Sequence, residues 1–219
     1  MLLFLALVWL AAFAQQGAAL RLGRTSSIAS RAVASTRLEM GGGPIRADSI
    51  PKLIELIKMT DRGLQSGSND AIKGMIDDIE SAQSQYVARD KGFVDKCNGR
   101  WELLWTTEKE TLFFAKSGLF GSPVTSISQT IDTRAGEINN LISFANNRSF
   151  SVLGSVAPDP STPSKFNFAF VSAELAIPPL PTLRLPPVGS GWFKNVYCNG
   201  EFRLSKDVRG DYLVSRRTT

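Results

Sequence analysis

Residues 191–216 read GWFKNVYCNGEFRLSKDVRGDYLVSR, a run of short alternating segments separated by turn residues. Asn199-Gly200 is the dipeptide that a type I′ hairpin turn prefers, and Val208-Arg209-Gly210-Asp211 has the composition of a second turn. Strands are therefore predicted at residues 192–198, 201–206 and 212–216. The C-terminal part of the chain is thus predicted to be an antiparallel meander.

The same period of two continues upstream as far as Gly92. It predicts further strands at residues 100–107, 125–133, 137–145, 150–157 and 165–174. About eight antiparallel strands with no helix between them favour a sheet closed into a β-barrel over any parallel α/β arrangement. Such a barrel, predicted over residues 92–217, has room inside for one small ligand.

Two amphipathic helices are predicted before the strands, within residues 48–90. The first begins at Asp48 or Ser49, because Pro51 then fits the first turn of a helix. In the second helix, after Ser68 or Asn69, apolar residues recur at the helical spacing: Ile72, Met75, Ile76 and Ile79. This face must dock on another element. The charged residues of the opposite face are interpreted as a solvated surface: Lys73, Asp77, Asp78 and Glu80.

The start of the chain has the composition of a targeting leader. Residues 1–14 are predicted to be a signal peptide, because the uncharged run LLFLALVWLAAF is followed by small residues suited to cleavage. Residues 15–43 are rich in Arg and Ser, poor in acids, and predicted to be a transit peptide with a flexible linker. Two such segments in series resemble the bipartite leaders of algae whose plastids lie within the secretory route.

The alternative is a secreted protein with a disordered start. Under that interpretation Cys97 and Cys198 would form a disulfide and Asn147 would be a glycosylation site. In a plastid both features would be incidental. The two cysteines could still meet across a closed barrel and respond to redox state, although buried free thiols are the more usual outcome.

Composition also excludes several classes of function. The chain has 219 residues and 43% hydrophobic content, enough for one folded domain, expected at residues 44–217. Residues 1–40 contain four Arg and one Glu, so +3 of the net charge of +5 lies in the leader, and no basic face is expected for nucleic acid. The chain has no histidine, which removes the commonest general base and histidine-ligated metals. We expect no catalytic residue, metal or cofactor.

Segments of the chain resemble, in order, the plastid lipid-associated protein (fibrillin) family. They are residues 52–80, 98–107, 128–132, 139–140, 191–197, 202–205 and 209–210, so the resemblance extends over about residues 50–214. Two departures are Trp105, where the family usually has Tyr, and Asn199-Gly200, which replaces an acidic pair. The resemblance implies a lipocalin-like barrel that binds lipids, prenylquinones or carotenoids, and peripheral contact with thylakoids or plastoglobules.

Gly99-x-Trp101 also resembles the G-x-W signature of lipocalins, in which the Trp closes one end of the barrel beneath an Arg. An indole face attracts a guanidinium, which can also bond bare carbonyls at the barrel base. Arg203 and Arg216 are the candidate partners of Trp101. We interpret this group as a structural plug.

The candidate ligand-binding residues are the apolar side chains expected to face the barrel interior: Leu103, Trp105, Phe166, Phe168 and Phe170. Trp101, Leu103 and Trp105 are predicted to share one face of their strand. Each of these side chains could equally be ordinary core, so the prediction of a pocket rests on the resemblance.

Residues 177–187 contain five Pro and are predicted to be an extended, polyproline-like crossover. Apolar side chains here and in the first connection could contact a lipid surface: Phe120, Leu180, Leu183 and Leu185, with Leu112, Phe113, Phe114 and Leu119 as further candidates. A coat protein of lipid bodies that has no internal ligand is the alternative function.

Overall fold

The computed structural model describes residues 48–186 and 189–218. Helix α1 (Ser49–Lys58) is followed by two short 3-10 turns, Asp61–Gly63 and Ser66–Ser68, and by the long helix α2 (Asn69–Arg89). The prediction of two N-terminal helices is therefore confirmed. The predicted signal peptide (residues 1–14) and transit peptide with linker (residues 15–43) lie outside the described residues.

Strands make up most of the remaining described chain. They are β1 (Gly99–Thr106), β2 (Val124–Asp132), β3 (Glu137–Phe144), β4 (Arg148–Pro158), β5 (Lys165–Ala176), β6 (Leu183–Leu185), β7 (Ser190–Cys198), β8 (Phe202–Asp207) and β9 (Tyr212–Thr218). All except β6 lie where the period of two predicts them. The segment containing β6 was expected to be a polyproline-like crossover, but these three residues pair with β5.

Two further helices were not predicted. Helix α3 (Phe93–Cys97) precedes β1, and helix α4 (Lys109–Ser117) connects β1 to β2. The expectation of no helix between strands is therefore wrong at α4. This segment is helical because Phe114, 5% exposed, docks among the apolar side chains of the sheet interior, and such docking stabilises short helices more than their own propensity does.

The described strands form one antiparallel sheet in the order β4-β3-β2-β1-β9-β8-β7-β5-β6. An additional pairing of β4 with β5, from Ser149–Ala176 to Pro158–Phe166, joins the two sides of the sheet. Every strand except β6 is thereby part of a continuous ring of hydrogen-bonded strands. The prediction of a mainly β, antiparallel fold is confirmed.

A bulge in β1 changes the direction of Trp105. The register of β1 against β9 shifts between Leu103 and Trp105, and a one-residue shift moves a side chain to the other face of a sheet. Trp101 and Leu103 therefore face the interior of the ring, whereas Trp105 packs outside it against the helices. The expectation that these three residues share one face is corrected.

Helices α1 and α2 pack on the outer face of the ring. Their isoleucines and Leu53 are buried against side chains of β1, β7, β8 and β9: Trp105, Val196, Leu204 and Val214. Ile72 and Ile76 are fully buried, as the helical spacing predicts, and the indole Nε1 of Trp105 donates a 3.0 Å hydrogen bond to Asn69 Oδ1 at the start of α2. The apolar face of the helices is thus docked on the sheet.

The charged face of α2 is only partly solvated. Lys206 of β8 bonds to Asp77 at 2.6 Å and also to Glu80, and Lys194 of β7 bonds to Glu80 at 2.6 Å. Tyr212 donates from its hydroxyl group to Asp77 at 2.9 Å. Asp77 remains exposed, as the interpretation of a solvated surface predicts, whereas Glu80 is partly buried because the edge of α2 lies over lysines of the sheet.

The ring has two distinct ends. At the α3 end lie Trp101, the start of β8 and the end of β9; at the α4 end lie Glu108, the end of β8 and the start of β9. No helix of the described chain is long and apolar enough to cross a bilayer.

Candidate functional site

A cavity of about 140 Å³ lies inside the ring between its two ends. Strands β1 to β5 and β7 to β9 contribute to its wall, and α4 contributes at one end. Its apolar lining includes Leu103, Ile127, Ile142, Phe150, Val152, Phe168 and Phe170. A mostly apolar space that also carries polar groups is the usual form of a small-molecule site.

The structure brings some of the predicted pocket residues together and separates others. Leu103, Phe168 and Phe170 line the cavity, and the rings of Phe168 and Phe170 are 5.0 Å apart. Phe166 is fully buried nearer the α3 end, in contact with Phe193. Trp105 lies outside the ring because of the β1 bulge. Only Leu103, Phe168 and Phe170 therefore remain candidates for ligand contact.

Sequence reasoning missed the lining contributed by β2, β3 and β4. The signal was present, since Ile127, Ile142 and Val152 occupy alternating positions in strands that were predicted correctly. Alternation alone does not say which of the two faces of a strand is interior. Aromatic side chains were predicted to line the pocket, but smaller aliphatic side chains form much of its wall.

Trp101 is buried at the α3 end of the ring, beside two guanidinium groups. Arg203 lies 5.4 Å and Arg217 4.5 Å from the centre of its ring, and the indole Nε1 donates to the Cys97 carbonyl at 2.8 Å. The candidate Arg216 is incorrect: it pairs in register with Glu102 and is exposed, whereas Arg217 pairs with Trp101. An error of one residue in a strand exchanges inside and outside.

Arg217 also satisfies carbonyls at the end of α3. Its Nη1 donates to the carbonyl of Asn98 and its Nη2 to that of Lys96, both at 2.7 Å, and its Nε donates to the carbonyl of Gly200. Gly99 is required here, because its φ is +127° and a Cβ would lie 2.1 Å from Arg217 Nη1. Gly99, Trp101 and Arg217 are thus one packed structural unit.

Arg203 is the charged side chain deepest in the cavity wall. It is 2% exposed, and its guanidinium lies over the rings of Trp101 and Phe193. Nη2 donates to Gln129 Oε1 at 2.6 Å, and Nη1 donates to Asn195 Oδ1 at 3.4 Å. Burial lowers the pKa of Arg203 to about 10, so the group stays charged at neutral pH.

The α4 end of the cavity carries the opposite charge. Arg209 lies among the carboxylates of Glu110, Asp207, Asp211 and Glu108, at nitrogen–oxygen distances of 3.0, 3.0, 3.5 and 3.7 Å. Burial raises the pKa of Glu108 to about 7, although the Thr111 hydroxyl donates to it at 2.8 Å. Within the described chain, no group of three or more Cys, Asp or Glu side chains is arranged to hold a metal ion.

Cys97 and Cys198 meet at the α3 end as buried free thiols. A hydrogen bond from Cys97 lowers the pKa of the Cys198 thiol to about 7, against the opposing effect of burial. The same hydrogen bond, together with burial, raises the pKa of Cys97. The expectation that the two cysteines meet across the closed ring is therefore correct, and they are not disulfide-bonded here.

The candidate membrane-contact residues differ in exposure. Leu180 and Leu183 are 61% and 46% exposed, and Phe113 of α4 is 45% exposed. Phe120 and Leu185 instead pack against the apolar cluster inside the α4 end. Of these candidates, Leu180, Leu183 and Phe113 are therefore the ones exposed to a surface outside the molecule.

Comparison with known proteins agrees with this architecture. The PAP_fibrillin family model matches residues 47–215. "Probable plastid-lipid-associated protein 11, chloroplastic" of Arabidopsis thaliana is 40% identical over 171 residues, which cover 76% of this chain and 77% of that protein. No solved structure gives a significant match. The family model spans the helices, the ring and the cavity, and the chain belongs to the PAP_fibrillin family.

Proposed function

We propose that this protein binds hydrophobic molecules such as lipids, prenylquinones or carotenoids, and carries or organises them at plastid membranes or plastoglobules without catalysing a reaction. Membership of a plastid-lipid-associated family supports the association with lipids. In this proposal the ring of strands is a lipocalin-like β-barrel whose interior holds the apolar part of the ligand.

The observation that carries the proposal is the apolar cavity inside a closed ring of strands. Pairing of β4 with β5 leaves no open edge through which water could reach the interior from the side. Removal of apolar surface from water contributes about 25 cal/mol per Å², so an apolar guest gains free energy by entering such a space.

The size of the cavity limits what can enter without movement. Its volume of about 140 Å³ is smaller than the roughly 300 to 1,000 Å³ of typical ligand pockets. A prenylquinone or carotenoid therefore requires α4 to move, because Phe114 of α4 lies 6.0 Å from the ring of Phe150 and fills the α4 end. We infer that α4 is the element displaced on binding.

The cellular site in this proposal is the plastid of an alga, reached through the bipartite leader. The related Arabidopsis protein is named chloroplastic. A fluorescent tag at the C-terminus of the full chain should report plastid fluorescence in such an alga. Secretion of the tagged chain would favour the alternative, a secreted lipocalin-like carrier.

The ligand can be tested by extracting the purified full-length protein with solvent and identifying the extract by mass spectrometry. We expect a prenyl lipid or pigment in near-stoichiometric amount. The variant Val152→Phe narrows the cavity and should reduce the co-purified lipid, whereas Leu153→Phe places the same side chain at the neighbouring, exposed position and should not. Equal lipid content in the two variants would contradict an internal ligand.

A coat protein of plastid lipid bodies is the second candidate function. It is favoured by the small cavity together with the exposed Leu180 and Leu183. In that case the purified protein would contain no stoichiometric lipid but would still float with lipid particles. The extraction experiment therefore separates the two functions.

A further inference from the structure

Arg203 is a buried cation whose hydrogen-bonding capacity is incompletely used. Its acceptors, Gln129 and Asn195, are neutral amides, and the bond to Asn195 is long at 3.4 Å. Among the described residues, its Nε and the Nδ2 of Asn195 have no hydrogen-bond acceptor. Buried donors without acceptors are costly, and for a charged group the cost is larger. This part of the cavity wall therefore lacks a negatively charged acceptor.

Arg203 is part of the wall of the cavity. It lines the space together with Gln129, Asn140, Ser205 and Ser215, beside the apolar side chains of Trp101, Ile138 and Phe193. The cavity thus has a polar floor of hydrogen-bonding groups near the α3 end, apolar sides along its middle, and charged residues at the α4 end: Glu108, Glu110, Asp207 and Arg209. Such an arrangement matches an amphiphile whose polar head lies at the α3 end and whose apolar part lies along the sides.

The charges at the two ends of the cavity determine which charge the head group of the ligand should carry. At the α4 end, Arg209 is already surrounded by Glu108, Glu110, Asp207 and Asp211, which leaves an excess of negative charge. An anionic head is therefore repelled at the α4 end and attracted to Arg203. The low dielectric of the interior strengthens both effects.

On this basis we propose that Arg203 anchors the carboxylate of an acyl-chain amphiphile inside the cavity. A carboxylate presents two acceptor oxygens, which suit the fork of a guanidinium. An apolar cavity of roughly 150 Å³ takes a molecule the size of benzene, so this cavity holds the carboxylate and the first carbons of the chain. The remaining tail extends along the apolar side chains of β2 to β5, toward the apolar cluster that contains Phe114. This assignment rests on the proposed binding of an apolar ligand in the ring and names the head group of that ligand.

Two thiols near the floor of the cavity would compete with a ligand carboxylate for Arg203 if either thiol ionised. The thiols of Cys97 and Cys198 interact electrostatically with Arg203, and the hydrogen bond from Cys97 lowers the pKa of Cys198 to about 7. In this structure, however, Cys198 Sγ donates a 3.1 Å hydrogen bond to the Lys96 carbonyl, as a protonated thiol does. If a Cys198 thiolate neutralises Arg203 in solution, the binding of a ligand carboxylate gains no electrostatic stabilisation from Arg203.

The test compares three ligands of one chain length: decanoate, methyl decanoate and 1-decanol. Binding of each radiolabelled ligand to the purified full-length protein is measured by equilibrium dialysis at pH 7 under reducing conditions. We expect decanoate to bind roughly tenfold more tightly than the ester or the alcohol, as a charge-assisted hydrogen bond in a dry site predicts. Equal binding of the three ligands would overturn the role of Arg203 while leaving the internal ligand intact. Binding of none would contradict the proposed function itself.

Variants assign the effect to Arg203. Arg203→Met should remove the preference for decanoate, whereas Arg216→Met, the same change at an exposed position of β9, should retain it. Circular dichroism shows whether Arg203→Met folds. If it does not, the comparison of the three ligands in the unaltered protein is the test, and a preference for decanoate below about threefold overturns the assignment. A preference that survives in folded Arg203→Met also overturns it.

Discussion

Trp101 shows how a single residue position connects the first strand, β1, to the last strand, β9. Its indole lies under Arg217 from the last strand and also contacts Arg203. Arg217 bonds carbonyls at Lys96, Asn98 and Gly200, so its removal leaves several acceptors bare at the α3 end. Arg217 thus joins α3, the β7–β8 turn and β1 at this end of the ring.

We predict that Arg217→Met destabilises the protein by about 2 to 4 kcal/mol, because both the cation–π contact and charge-assisted hydrogen bonds are lost. Arg216→Met makes the same chemical change on the exposed face and should cost less than about 0.5 kcal/mol. Urea unfolding followed by tryptophan fluorescence measures both values. Similar costs for the two variants would contradict the observed direction of Arg217.

Glu108 should make the stability depend on pH. Burial raises its pKa from 4.5 to about 7, with Asp207 and Asp211 adding to the rise and Thr111 and Arg209 opposing it. A carboxyl group with a raised folded-state pKa contributes stability below about pH 4.5, and this contribution is lost as the pH rises through about 7.

We therefore predict that Glu108→Gln, which cannot ionise, gains stability relative to the unaltered protein as the pH is raised from 5 to 8. Melting temperatures at several pH values in this range measure the difference. Parallel curves for the two proteins would show that Glu108 titrates normally.

At the scale of secondary-structure elements, helices α1 and α2 are attached to the ring by one apolar interface. Ile76 is fully buried at its centre, between α1 and the strand residues. We predict that Ile76→Ala costs about 2 to 5 kcal/mol of unfolding free energy through the cavity it leaves. Gln85→Ala, on the exposed face of the same helix, should change stability by less than about 0.5 kcal/mol.

Urea unfolding again provides the measurement. A small cost for Ile76→Ala would indicate that the helices pack loosely on the ring. Loss of the α-helical circular dichroism signal before the β signal would instead indicate that the helices unfold as a separate unit.

The accuracy of sequence reasoning differs between elements for physical reasons. Strands β1–β5 and β7–β9 were predictable, because alternation and turn residues are local signals. Helix α4 was not, because its helicity depends on docking of Phe114 in the interior. The bulge in β1 has no signature in the sequence, so Trp105 was assigned to the wrong face. Arg203 was identified as a partner of Trp101, but its unused donor is visible only in three dimensions.

For the whole molecule, the exposed apolar side chains near the α4 end suggest its orientation on a lipid surface. We predict that replacing Leu180 and Leu183 together by Ser reduces flotation of the full-length protein with lipid particles. Tyr86→Ser removes an exposed aromatic ring near the α3 end and serves as the control. Phe120 and Leu185 are unsuitable for this test because they pack inside. Unchanged flotation of the double variant would exclude this contact.

The pairing of β1 with β9 has a consequence for folding kinetics. Trp101 pairs with Arg217, so β1 can pair with its second neighbouring strand only after β9 has been synthesised. Contacts between distant parts of a sequence slow folding, and the unpaired edge of a strand stays exposed until its partner strand has formed. A polypeptide still emerging from a ribosome or a translocation pore would therefore present β1 unprotected, and chaperones should engage it until β9 arrives.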